Sequence, residues 1–345
     1  MKASVYFGPG DIRVEEVPDA VLREPTDALV RVTHSGICGS DLWVYRGELE
    51  LYGPAPSRVG HEFIGVVEDV GTGVRTLRRG QPVIAPYTFS DGTCDRCREG
   101  FQTLCPSGGF FGGRQDGGQG EAVRVPLADG TLVAMPGDSD LSDDRLAAAL
   151  VTLTDVMGTG HHGALACGVG PGGTAVVVGD GAVGLCAILA ARRLGAERVI
   201  VLGHHADRLA IAEGFGATDI VEERGEAAVE RVRELTGGGC RNVVECVGTA
   251  QAYDTAIGCA SAGGTVGHLG SPVAPLDLRD VHIRNVRLTG GRAPVRGYIP
   301  ELMDDVLAGR LDPSPVMDLA IPLDEVPAGY AAMNERRAVK VLVRT

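Results

Sequence analysis

Hydrophobic and polar positions alternate over short spans in the first part of the chain. Ala28-Leu29-Val30-Arg31-Val32 and Phe63-Ile64-Gly65-Val66-Val67-Glu68-Asp69-Val70 read as strands separated by clusters of Gly, Pro and Asp, so residues 1 to about 150 form a twisted β-rich region. The rhythm changes at Arg145 to Leu153, which is Ala- and Leu-rich and helical. From Thr174 onward, short apolar runs alternate with helical segments. The predicted strands are 174–178, 198–202, 219–221, 242–247, 265–269 and 286–289, and six strands with intervening helices make a doubly wound parallel sheet. From about Pro294 this rhythm stops. Pro313, Pro315, Pro322 and Pro327 interrupt it, and Val339 to Val343 closes the tail as a strand. Such a strand must find partners, and the β-rich first region offers them. The expected chain is α/β, with a dinucleotide-type domain over 153–293 inserted into a β-rich domain built from 1–152 and 294–345.

Composition narrows the function classes. At 345 residues the chain suits two domains of ordinary size. A formal charge of -13 argues against nucleic acid, whose phosphates are bound through accumulated Lys and Arg. No apolar run approaches the roughly 20 residues needed to cross a bilayer, and Met1-Lys2-Ala3-Ser4-Val5-Tyr6 opens no signal-peptide segment, so no membrane partner and a cytoplasmic location are expected. Nine cysteines are an odd number in a long chain and read as reduced thiols or metal ligands. Lys2 and Lys340 are the only lysines, a scarcity assigned to genomic bias and to no function.

Candidate chemistry lies in three places. Cys38 in Gly36-Ile37-Cys38-Gly39-Ser40-Asp41 and His61 in Gly60-His61-Glu62 supply a thiolate and an imidazole that a fold can bring to one metal. Cys94, Cys97 and Cys105 lie in a short loop that gathers ligands locally. Farther on, Gly179-Asp180-Gly181-Ala182-Val183-Gly184 follows the strand-like Thr174 to Val178 and opens an apolar helix, the setting of a dinucleotide fingerprint. There Gly179 allows a tight turn, Gly181 lets backbone approach a pyrophosphate, and Gly184 permits close helix–strand packing. Metal plus dinucleotide points to hydride transfer. His161 and His162 are read as packing or solvent-facing histidines. Cys167, Cys186, Cys240, Cys246 and Cys259 lack ligand spacing and are read as packing.

Taken in order, Cys38-Gly39-Ser40-Asp41, Gly60-His61-Glu62, the cysteine loop, Asp116-Gly117-Gly118, Thr154-Asp155, Gly179 to Gly184 and the closing strand resemble the zinc-containing medium-chain alcohol dehydrogenases, with bacterial secondary alcohol dehydrogenases nearest in motif. The resemblance covers essentially the whole chain. It implies a Rossmann domain inserted into a GroES-like, partly open barrel, with a catalytic zinc in the cleft between them. It implies Asp155 as the third ligand beside Cys38 and His61, with Glu62 just outside the ligands or serving as a transient fourth ligand. The alternative is that Asp155 caps a helix and Glu62 is the third ligand. Ser40 stands where relatives place a hydroxyl that passes the substrate proton. Trp43 occupies the place of the relay histidine many relatives carry, and Tyr87, Phe110 and Phe111 fall where the family lines its substrate channel. The loop resembles a structural zinc lobe with Asp91 in place of the first cysteine, giving Asp91, Cys94, Cys97 and Cys105. Otherwise the lobe is empty and Asp91 serves the turn.

Cofactor choice turns on the end of the second strand, where an acid would accept hydrogen bonds from the ribose 2′-hydroxyl. That place is Gly203. His204, His205 and Arg208 follow, and Asp207 is expected to cap the next helix, so NADP(H) is expected over NAD(H). The resemblance implies a small to medium alcohol, aldehyde or ketone as substrate. Polyol or amino-alcohol dehydrogenase activity, and a zinc-stabilised non-catalytic homologue, are the alternatives. The resemblance also implies a homodimer or homotetramer.

Overall fold

The computed structural model describes residues 1–50, 54–113, 115–137, 139–271 and 275–345. The chain divides into two compact units, Met1–Asp155 with Pro294–Thr345, and Val156–Ala293. Among the described residues, no helix is long and apolar enough to cross a membrane.

In the first unit a mixed sheet runs in the order Val133–Ala134, Pro82–Ala85, Glu62–Val70, Ala28–Ile37, Val341–Arg344 and Leu319–Pro322. Ala122–Val125 also pairs with Ala28–Ile37. Burial alternates along the start of Ala28–Ile37 and becomes continuous from His34, where neighbours cover both faces. Val30, Phe63, Val83 and Phe111 fill the core against this sheet. Register places Gly36 opposite both Glu62 and Leu342, and Ile37 opposite Val341. Three strand ends distant in sequence therefore meet at one point. The closing strand begins at Val341, later than its apolar run suggests, because the Asp318 carboxylate accepts the N–H groups of Val339 and Lys340 at 2.8 and 3.0 Å. Those groups are thereby kept out of the ladder.

In the second unit the strands lie in the order Asp219–Val221, Arg198–Leu202, Thr174–Val178, Cys240–Glu245, Ala260–His268 and Arg287–Gly290, every neighbouring pair parallel. In sequence order this is 3-2-1-4-5-6, the order of two mononucleotide-binding halves. Val176, Ile200, Val243 and Val266 are fully buried between the helix layers. Three strands depart from their expected limits, the sixth by a shift of one residue to Arg287–Gly290. The fourth ends at Glu245 and not at 247, because its carboxylate accepts the N–H groups of Val247 and Gly248 at 2.7 and 2.8 Å and turns the chain. The fifth starts at Ala260, five residues early, through a small-residue run whose β character comes only from pairing, as in Cys240 opposite Ala260.

Candidate active site

Cys38 follows the strand Ala28–Ile37 and opens the short helix Gly39–Tyr45. Its backbone N–H donates to Asp41 Oδ2 at 2.9 Å, which fixes the turn that aims the sulfur. His61 immediately precedes the strand Glu62–Val70. Asp155 lies between the helices Asp144–Thr152 and Val156–Ala166. The ligand atoms of Cys38, His61, Glu62 and Asp155 all come within 4.8 Å of one another. Asp155 Oδ2 stands 3.2 Å from His61 Nε2 and 3.6 Å from Cys38 Sγ. Asp155 thus turns toward the cluster, although a helix begins at the next residue.

Two residues that the sequence reading passes over complete this arrangement. Asp41 Oδ1 lies 3.2 Å from His61 Nδ1, with both side chains 1% exposed. Lys340 Nζ donates to Glu62 Oε1 and Oε2 at 2.7 and 2.5 Å and to the Ile37 carbonyl at 3.2 Å. The scarce lysine set aside as genomic bias is a buried cation at the site. Burial pushes the Cys38 thiol pKa up, and Glu62 and Asp155 add to it. Burial also raises Glu62, against the pull of Lys340. For His61 burial opposes charge, yet Asp41, Cys38 and Asp155 outweigh it and lift the imidazole well above its ordinary value. A thiol and three carboxyl groups thus share one pocket with a single fixed cation. That surplus of acidic donors suits a dication.

The aromatic neighbours divide. The Phe110 and Tyr87 rings stand 4.7 and 6.4 Å from the His61 ring. Phe111 is fully buried and packs on Phe63 and Phe89 at 5.1 and 5.6 Å, so it serves the core. Ser40 and Trp43 are half-buried on the helix Gly39–Tyr45.

Asp91, Cys94, Cys97 and Cys105 form a second group whose ligand atoms lie within 4.8 Å of one another. Asp91 Oδ1 accepts the N–H groups of Thr93 and Cys94 at 2.7 and 2.8 Å, and the Cys94 N–H holds its pKa well below the usual carboxylate range. It therefore serves the turn and faces the sulfurs at once. Burial, with Cys94 next, pushes the Cys97 thiol up to about 12. His161 and His162 lie in the second unit on Val156–Ala166, outside both groups.

In the second unit Gly179 has φ +113°, a conformation that favours glycine. A Cβ on Gly184 would lie 2.0 Å from the Gly179 carbonyl oxygen, whereas one on Gly181 would meet nothing within 4 Å. The turn is closed on its packing side and open where a phosphate would approach the helix Ala182–Arg193. The surroundings of Gly203 are less cationic than its sequence neighbours suggest. Asp180 accepts the N–H groups of His204 and His205 at 2.7 and 3.0 Å and faces His205 Nδ1 at 2.8 Å and an Arg208 nitrogen at 3.6 Å. Burial works to raise the Asp180 pKa, but these hydrogen bonds outweigh it and lower it. Asp180 stands inside the glycine fingerprint and is legible there only as its variable position. His204 Nδ1 lies 2.7 Å from the Glu222 carbonyl oxygen. Asp207 sits inside the helix Ala206–Gly214, whose cap position is His205, so it does not cap that helix.

Family models match both parts of the chain, the alcohol dehydrogenase GroES-like domain over residues 24–137 and the zinc-binding dehydrogenase domain over 182–308. The chain is 32% identical to zinc-type alcohol dehydrogenase B of Aspergillus flavus, over its whole length and 81% of that protein. Among solved structures, alcohol dehydrogenase TADH from Thermus sp. ATN1 matches with a TM-score of 0.90 at 34% identity, covering 100% of this chain and 99% of that one. A putative zinc-binding dehydrogenase from Sinorhizobium meliloti 1021, bound to NADP, matches with a TM-score of 0.84 at 29% identity over 100% and 99%. The fold is a GroES-like domain with a Rossmann-type domain, and the chain belongs to the zinc-containing medium-chain alcohol dehydrogenase family. It is an oxidoreductase of that family.

Proposed function

We propose that the protein is a zinc-dependent alcohol dehydrogenase or carbonyl reductase that moves hydride between NADP(H), in preference to NAD(H), and a small to medium alcohol, aldehyde or ketone. The buried convergence of Cys38, His61, Glu62 and Asp155, with Asp41 behind the imidazole, carries this reading. Cys38, His61 and Asp155 would hold a zinc ion, and Asp91, Cys94, Cys97 and Cys105 a second, structural one. When bound, zinc supplies Lewis acidity toward a substrate oxygen, and the nicotinamide supplies or receives hydride.

The chain's own groups do the positioning. The Asp41 carboxylate, 3.2 Å from His61 Nδ1, favours the proton on that nitrogen and so leaves the Nε2 lone pair on the side of Cys38 and Asp155. Phe110 and Tyr87 pack against the imidazole and against each other, with apolar surface that excludes water. The Ser40 hydroxyl passes the substrate proton. With Trp43 where an imidazole relay would stand, that proton leaves through ribose hydroxyls and water, or Trp43 shapes the substrate pocket instead. In the second unit the Gly179–Gly184 turn, with Ala182 and Val183 opening the helix, receives the pyrophosphate. Gly203 itself brings no acid, the Asp180 carboxylate beside it is engaged by the His204 and His205 N–H groups, His205 Nδ1 and Arg208, and His204, His205 and Arg208 so held supply the donors for a 2′-phosphate. Among the described residues the strand Arg287–Gly290 has a hydrogen-bonded neighbour on one side only, which fits pairing with a second copy of the chain.

The test is NAD(P)H consumption by the zinc-loaded protein against a panel of aldehydes and ketones, beside Asp155→Ala. Turnover by the wild type, and its loss in the variant with NADPH binding retained, is the expected outcome. Near-normal activity in Asp155→Ala removes Asp155 from the ligand set. A wild type inert across the panel overturns the enzymatic reading.

A further inference from the structure

Glu62 is placed ambiguously for a metal ligand. One of its carboxylate oxygens lies within 4.8 Å of the ligand atoms of Cys38, His61 and Asp155, yet both oxygens are taken by Lys340 at 2.7 and 2.5 Å. Glu62 is 0% and Lys340 1% exposed, and the Lys340 ammonium is anchored from behind by the Ile37 carbonyl at 3.2 Å. The strand register supplies the rest of the cradle. Gly36 lies opposite Glu62 on one side and Leu342 on the other, and a Cβ at Gly36 would sit 2.2 Å from Glu62 Oε2. Gly36 is not among the residues with positive φ, so its backbone would accept alanine. What its missing side chain supplies is the space into which the carboxylate is drawn.

We propose that Gly36 and Lys340 act as positioning residues that hold Glu62 off the metal, so that the centre keeps three protein ligands and one position open to substrate. This rests on the reading of Cys38, His61 and Asp155 as a zinc centre. The physical argument is one of competing cations. A buried carboxylate requires a partner, and here the Lys340 ammonium would compete for Glu62 with the zinc that Cys38, His61 and Asp155 would hold. With the ammonium present and the slot empty of any Cβ, Glu62 is neutralised by Lys340. Filling the slot or deleting the ammonium sends the carboxylate to the metal, which closes the fourth position.

The experiment follows zinc release from the holoenzyme to a chromogenic chelator, in the kinetic phase that Cys38→Ala removes. Gly36→Ala and Lys340→Met are each expected to slow that phase on the order of tenfold, as an added protein ligand tightens the site. Adding Glu62→Gln to either is expected to restore fast release, and Lys340→Arg is expected to release zinc at the wild-type rate. In cobalt(II)-substituted protein, azide is expected to shift the visible absorption of the wild type and to leave that of Gly36→Ala unchanged. Release at or above the wild-type rate in Gly36→Ala, or slowing that survives Glu62→Gln, overturns the proposal. Should Lys340→Met give no folded protein, Gly36→Ala decides, since it changes no charge. Unaltered release phases in Cys38→Ala would instead count against the zinc centre itself.

Discussion

Asp41 gives the sharpest quantitative expectation. Its carboxylate accepts the Cys38 N–H at 2.9 Å and faces the His61 Nδ1, a second donor, at 3.2 Å, and so bears on two of the three proposed zinc ligands. Asp41→Asn keeps the shape but leaves one acceptor oxygen for those two donors. One of them is then unsatisfied in a site where both side chains are 1% exposed. Replacing the outer partner of a ligating histidine lowers metal affinity by about 10- to 100-fold. With two ligands dependent on one carboxylate, the upper end is expected, about 100-fold or about 2.7 kcal/mol. The assay is equilibrium competition for zinc against a fluorescent chelator, with circular dichroism to confirm that the variant is folded. The deficit should widen as pH rises. Asp41 also raises the pKa of metal-free His61, so in the wild type a proton competes with zinc at lower pH, and Asn relieves that competition. Unchanged zinc affinity in folded Asp41→Asn, or a deficit that shrinks toward high pH, would refute the reasoning.

Elemental analysis of protein purified without chelator should give two zinc ions per chain, and Cys38→Ala should retain one; a single ion lost on Cys38→Ala would mean that the Asp91 lobe is empty. For the cofactor, kcat/KM should favour NADPH, and Arg208→Gln should erode that preference while leaving NADH use nearly intact; a wild-type preference for NADH refutes it. Gly203→Asp is a poor probe here, since a Cβ at Gly203 would lie 2.7 Å from the Asp180 Cβ. Asp27 tests the fold itself. It is 0% exposed and accepts from Arg124 at 2.5 and 3.0 Å; burial works to raise its pKa, but Arg124 and the Glu24 and Arg23 N–H groups outweigh it and lower it. A lowered pKa stabilises the fold above the ordinary value of 3.8 and loses that contribution as pH falls through the lowered one. Asp27→Asn should therefore melt earlier at neutral pH, by about 3 kcal/mol, and show a flatter acid limb than the wild type; equal acid limbs would contradict this.

What was legible in the chain was whatever its local order carries. The alternating strands, the glycine turn after Thr174–Val178, and the loop from Asp91 to Cys105 each place their groups within a few residues of one another. The partner of Glu62 was not legible, because Lys340 lies 278 residues away and meets it only through the register of three strands. Asp180 was hidden differently. It stood in plain view, but its effect depends on Gly203 having no side chain to fill the space it enters. Phe110 and Phe111 are neighbours of equal chemistry, and only the turn of the backbone sends one to His61 and the other to Phe63 and Phe89.

The strand Val341–Arg344 lies between Ala28–Ile37 and Leu319–Pro322, while Val156–Ala293 forms a unit of its own. On the ribosome this order has a cost in time. The 278 residues separating Glu62 from Lys340 take on the order of 15 to 55 seconds to synthesise. Throughout that interval the emerging β-rich half lacks both a sheet neighbour for Ala28–Ile37 and the counter-cation for Glu62, whereas the inserted half can already fold. The inserted unit can therefore form before the first, and the strand ends that carry Cys38 and Glu62 gain their last neighbour only when the strand after Lys340 arrives.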